Sequence, residues 1–153
     1  MPSKKTKKRI DRDKREGRVL SLFLKKGGIE LTIQKILDLV DATKPNAYTE
    51  TEKIEWLSQL DGTVFEEVIK THENQEAQEQ FKGYTAETPK DTKLLVDFPY
   101  DDMYRHWIYA QIDYSNGEYD KYQNDMIMFN SAFLQFTAFY NSRYMPNGGQ
   151  FML

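Results

Sequence analysis

Residues 116–143 read NGEYDKYQNDMIMFNSAFLQFTAFYNSR, and this stretch decides the fold class. Asn116-Gly117 is a helix-stop signal, because glycine enters the left-handed conformation that ends a helix at little steric cost. Directly after it, Tyr119, Tyr122, Met126, Phe129, Phe133, Phe136 and Tyr140 recur every three or four residues. That is one face of a helix sustained for about six turns. The spacing predicts a helix from Glu118 to about Arg143. The segment before the stop signal reads as a helix beginning near Pro99. Proline suits a first helical position, and Asp97, Asp101 and Asp102 suit the positive end of a helix dipole. Tyr100, Met103, Tyr104, Trp107, Ile108 and Gln111 mark its face. A connection this short makes the two helices an antiparallel αα-hairpin.

Two further helices are legible upstream. Thr32 is a candidate N-cap, and Ile33, Ile36, Leu37 and Val40 follow at helical spacing until Lys44-Pro45-Asn46 stops them. Thr49-Glu50-Thr51-Glu52 has the form of a capping box, followed by Ile54, Leu57, Asp61, Val64 and Val68, with Leu60 and Ile69 widening the stripe. Asp61 interrupts this stripe, Gly62 marks a potential kink, and Trp56 and Phe65 fall off its centre. Residues 71–95 lose the period and read as a polar loop, or as a short hairpin pairing Phe81–Thr85 with Lys93–Val96. The expected architecture is all-α: a small bundle of about four helices with a long C-terminal αα-hairpin and flexible termini. Its parts are a basic N-terminal arm over 1–28, a helical domain over 29–143 and a C-terminal tail over 144–153.

The 153 residues include no cysteine, which excludes disulfides, thiol nucleophiles and sulfur-ligated zinc. Aromatic residues make up 14%, more than a chain unable to build a core would carry. No apolar run approaches the ~20 residues of a membrane span, and Val19–Leu24 is too short for a signal peptide, so a soluble intracellular protein is expected. The net charge of −3 conceals a split. Residues 1–28 carry 11 Lys or Arg against 3 Asp or Glu, a sum of +8, whereas 29–153 sum to −11. Lys4, Lys5, Lys7, Lys8, Arg9 and Arg12 head the basic arm and are candidate nonspecific DNA contacts, acting by counterion release. Gly27-Gly28 reads as a hinge behind them.

Catalytic patterns are lacking. His72 and His106 have no second histidine at i+3 or i+4, and His106 reads as structural. Asp101 and Asp102 are adjacent on a helix, point different ways and suit its first turn. No GxGxxG, GxxxxGK[ST] or GxSxG occurs. The aromatic stripe after Gly117 reads as core; stacking on bases is the alternative. The expectation is a non-enzyme without cofactor or metal. After the last helix, Tyr144, Met145, Pro146, Phe151, Met152 and Leu153 place apolar side chains on a segment that Pro146 and Gly148-Gly149 keep from being helical.

Several stretches carry a family resemblance: Thr32–Asp41 with Lys44-Pro45-Asn46, Lys53–Gly62, Leu94-Leu95-Val96 with Pro99–Tyr104, Tyr109–Tyr114 with Asn116-Gly117-Glu118, and Phe129-Asn130, Tyr140-Asn141 and Met145-Pro146. Residues 30–146 resemble head–tail connector proteins, also called adaptor or head-completion proteins, of tailed bacteriophages and Gram-positive prophages. The resemblance implies a structural virion protein that forms a homo-oligomeric ring, commonly twelvefold, below the portal. It would extend the DNA channel and meet the next neck or tail protein. The location implied is the virion neck, with the host cytoplasm during assembly. In similar proteins an extended C-terminal tail docks on the portal, which makes Tyr144, Met145, Pro146, Phe151, Met152 and Leu153 the candidate docking residues. Lying outside the resemblance, the arm supports the alternative of a small helical DNA-binding or packaging protein.

Overall fold

Thr32 opens the first helix as its sequence foretells, with its Oγ1 accepting from Lys35 N at 3.3 Å. The computed structural model describes residues 30–73 and 80–148. Its helices are α1 (Ile33–Thr43), α2 (Glu50–Val64), α3 (Met103–Ser115) and α4 (Tyr119–Arg143). Among the described residues there is no strand, only isolated bridges, so the fold is an all-α bundle of four helices. At the start of α2, Thr49 Oγ1 accepts from Glu52 N at 3.2 Å and Glu52 Oε2 accepts from Thr49 N at 2.7 Å. The Thr49 backbone N–H and, at 2.9 Å, the Thr49 hydroxyl both donate to Glu52 Oε2 and hold its carboxyl below its usual range. Gly117, at φ +74°, follows the C-cap of α3, and α4 returns antiparallel to it.

The core is built from the predicted stripes. Ile33, Ile36, Leu37 and Val40 of α1 meet Ile54, Leu57, Leu60 and Val64 of α2. Between them lie Met103, Tyr104, Ile108 and Ile112 of α3, the helix that touches each of the other three. Trp107 donates from Nε1 to the Trp56 carbonyl at 2.8 Å and rests on Phe129 of α4, with ring centroids 5.1 Å apart.

Three sequence expectations are corrected. First, α2 runs through Gly62 without interruption. It then passes into a π-helical turn, Phe65–Ile69, closed by Lys70 N donating to Phe65 O at 2.8 Å. A π turn winds more residues per turn than an α turn. Phe65, which the sequence reading left off the centre of the stripe, is buried: it follows Leu57 and Asp61 at intervals of four and so shares their face. Second, Phe81–Thr85 and Lys93–Val96 do not pair as a hairpin. Lys93 bridges Thr32, and Leu94 N donates to Leu31 O at 3.0 Å. The same returning segment satisfies the first turn of α1, where Ile33 N donates to Thr92 O at 3.1 Å and Gln34 N to Lys90 O at 2.9 Å. Helix N-termini leave such donors without an intrahelical partner, and the loop supplies the acceptors. Third, α3 starts at Met103 rather than near Pro99. Tyr100 N bonds back to Asp97 O at 3.0 Å and Tyr104 N to Asp101 O at 3.2 Å, so tight turns occupy the stretch that proline was expected to begin. Pro99 itself is joined to Phe98 by a cis peptide bond.

Candidate assembly face

Helix α4 is covered on one side only. Phe129, Phe136 and Tyr140 are buried against the bundle, and Tyr100 of the preceding turns stacks on Phe139 at 4.8 Å. The predicted core stripe is thus core over its C-terminal half. Tyr119, at its start, is 57% exposed. The opposite side carries Ile127, Met128 and Leu134, exposed by 65%, 53% and 68%. Ile127, Ser131, Leu134 and Ala138 are spaced by four, three and four residues, so they share one outward stripe. From Met126 to Ser142 the helix has no charged residue on any side. Water-facing helix surfaces ordinarily alternate charge with polar groups. Ile127, Met128 and Leu134 stand here beside exposed Asn130, Ser131 and Gln135, so the face is charge-free and mixes large apolar side chains with small polar ones. Sequence reading on the aromatic stripe alone missed these residues; the absence of charge over Met126–Ser142 is the signal that finds them.

Two polar clusters hold the bundle together. The first centres on Asp61, fully buried in α2. Its carboxylate accepts from Tyr84 Oη at 2.5 Å, Tyr104 Oη at 2.5 Å and Leu95 N at 3.1 Å, and Tyr104 Oη in turn accepts from Val96 N at 2.9 Å. Burial pushes the Asp61 carboxyl up to about 6 against the pull of these donors, and burial beside Asp61 raises both phenols. One carboxylate thus ties the returning loop to α2 and α3. The residue that broke the apolar stripe is the polar anchor of the core.

The second cluster joins the end of α1 to the hairpin. Lys44 Nζ lies 2.5 and 2.6 Å from the two oxygens of buried Asp113 and 3.9 Å from Asp125 Oδ2. His106, buried as a structural histidine was expected to be, has Nε2 3.1 Å from Asp102 Oδ2 and Nδ1 3.6 Å from Asp125 Oδ1. Neither Asp113 Oδ1 nor His106 Nδ1 makes an aligned hydrogen bond, so their close contacts with Lys44 and Asp125 are electrostatic. Burial and a hydrogen bond with Asp113 raise the Asp125 carboxyl, while Lys44 opposes them. The cluster staples α1, α3 and α4. Among the described residues, no group of three or more histidines and carboxylates is placed to hold a metal ion. His72, at the end of the π turn, sets Nδ1 2.7 Å from Val68 O and packs edge-on against Tyr140.

The candidate docking residues divide. Tyr144 packs on Tyr140 with centroids 4.5 Å apart, and Pro146 bridges His72. Met145 is exposed, but its carbonyl accepts from Glu73 N at 2.7 Å. The first part of the expected free tail therefore lies along its own subunit, because Glu73 and Thr71 offer it backbone partners. Phe151, Met152 and Leu153 lie outside the described residues, as do Lys4, Lys5, Lys7, Lys8, Arg9 and Arg12 of the arm. Among the described residues, no helix is long and apolar enough to cross a membrane. In comparisons with known proteins, the chain matches no family model, no curated protein and no solved structure.

Proposed function

We propose that this chain is a structural, non-enzymatic subunit that assembles with copies of itself through the outer face of α4. The assembly is a ring of the head–tail connector kind, set below a phage portal and lining a channel for DNA. The observation that carries the self-association is the charge-free surface around Ile127, Met128 and Leu134. Exposed side chains of this kind cost little when a neighbour desolvates them, since no ion loses its hydration. The kind of assembly rests on the resemblance over residues 30–146. A body summing to −11 over 29–153 suits a conduit, because like charge keeps DNA from adhering to the wall.

Light scattering after size exclusion, with and without a phage portal protein, tests the reading. A closed oligomer is expected, and Ile127→Lys with Leu134→Lys should reduce it to monomer while leaving helicity unchanged. A wild-type chain that stays monomeric at high concentration, yet forms a salt-sensitive complex with DNA, would replace the ring with the DNA-binding alternative carried by the basic arm.

A further inference from the structure

We propose that the open cleft beside the π-helical turn receives this chain's own apolar segment, Phe151-Met152-Leu153. The cleft has a volume of about 740 Å³ and is walled by Phe65 and Ile69 of the π turn and by Phe81, Tyr84 and Leu95 of the returning loop, with Gln80, Lys82, Thr88 and Thr92 adding polar groups. That volume lies in the range of cavities that enclose small ligands. Three aromatic rings sit together in its lining, with the Phe81 ring 6.3 Å from Phe65 and 5.1 Å from Tyr84.

The described chain ends next to this wall. Asn147 donates from its backbone N to Thr71 O at 2.8 Å and from Nδ2 to Lys70 O at 2.7 Å, and Lys70 directly follows Ile69. Residues 149–153 continue from that anchor. Fully extended they span up to about 17 Å. Phe65 lies only about one helical turn, roughly 5 Å, beyond Ile69. The segment can therefore reach the cleft without any rearrangement of the bundle. Gly148, at φ +73°, turns the chain at the point of departure. The chemistry matches as well: Phe151, Met152 and Leu153 are large and apolar, whereas Asn74–Glu79, also next to the cleft in sequence, is polar except for Ala77. The Phe65, Ile69, Phe81, Tyr84 and Leu95 side of the cleft favours the first over the second.

This inference is intramolecular and does not depend on the assembly reading. The chain has no cysteine, so an introduced pair reports cleanly. Lys82→Cys with Met152→Cys, oxidised in dilute full-length protein, is expected to form an intramolecular disulfide. It should form at least about tenfold faster than the control pair Gln123→Cys with Met152→Cys, because docking raises the local concentration of the two thiols. Both Lys82 and Gln123 are exposed, so the bundle tolerates their replacement. Oxidation no faster than in the control overturns the proposal, and so does a product made only of disulfide-linked dimers, which would put the segment on a neighbouring copy. Ending the chain after Gly148 supplies an independent reading. The shortened protein should bind more of an apolar fluorescent dye and melt at a lower temperature, and a truncation that changes neither overturns the proposal.

Discussion

The side of the bundle around Asp61 and the outer face of α4 solve opposite problems. Around Asp61, a charge sits where no water reaches, and three donors from distant parts of the chain converge on it. On the outer face of α4, apolar side chains sit where water is plentiful and nothing charged accompanies them. The first region is costly to build and rigid once built, since an incompletely satisfied buried carboxylate loses more than it gains. The second costs the isolated subunit little. The contrast separates residues that make the fold from residues the fold leaves over, and the leftover ones carry the functional reading.

The comparison breaks most visibly if Asp61 proves dispensable. Asp61→Ala strands the Tyr84 and Tyr104 hydroxyls and Leu95 N, and the expected loss is about 3–5 kcal/mol in denaturant unfolding. A loss below about 1 kcal/mol would mean that the hydroxyls find other partners and that the hub is incidental. The pH dependence sharpens the same point. With its folded carboxyl raised to about 6 from the ordinary aspartate value of 3.8, Asp61 binds its proton more tightly folded than unfolded. Its contribution to stability is therefore fully present below about pH 4, is lost as pH rises to about 6, and is flat above that, with a fall on the order of 2–3 kcal/mol. Subtracting the profile of Asp61→Asn, which cannot titrate, isolates this slope from that of Asp125; identical slopes in the two proteins would refute it.

Smaller effects are expected in the loop that reaches the hub. Gly83 has φ +86°, and an added Cβ would sit 2.8 Å from Ser58 Oγ. That hydroxyl accepts from Tyr84 N at 2.9 Å, so moving it disturbs the residue that closes on Asp61. Gly83→Ala should cost about 1–3 kcal/mol, and an unchanged melting curve would show that the loop adjusts freely. The smallest effect belongs to α4. Ile127→Lys with Leu134→Lys should leave subunit stability within about 0.5 kcal/mol of wild type, measured under conditions where the protein is monomeric. A large loss there would place these side chains in the subunit's own fold and erase the contrast between the two regions.

The sequence by itself determined most of the caps and stops, which depend on neighbours a few residues apart. Thr32 and Thr49 as caps, the Glu52 capping box, the stop at Asn116-Gly117 and the run of α4 to Arg143 all follow from the backbone's need for partners within one turn. The apolar stripes of α1 and α2 were legible for the same reason. Tertiary structure decided what joins distant residues. Asp61 became an anchor only because Tyr84 and Tyr104, 23 and 43 residues away, fold over it. Lys93 pairs with Thr32 instead of with its own loop because α1 presents unpartnered N–H groups at that place. The first tail residues held against Thr71 and Glu73, and the cleft between Phe65 and Leu95, likewise depend on packing against remote segments. The charge-free run of α4 was written in the sequence. Only the bundle decided which side of that helix stayed uncovered, because periodicity names the faces of a helix and packing chooses between them.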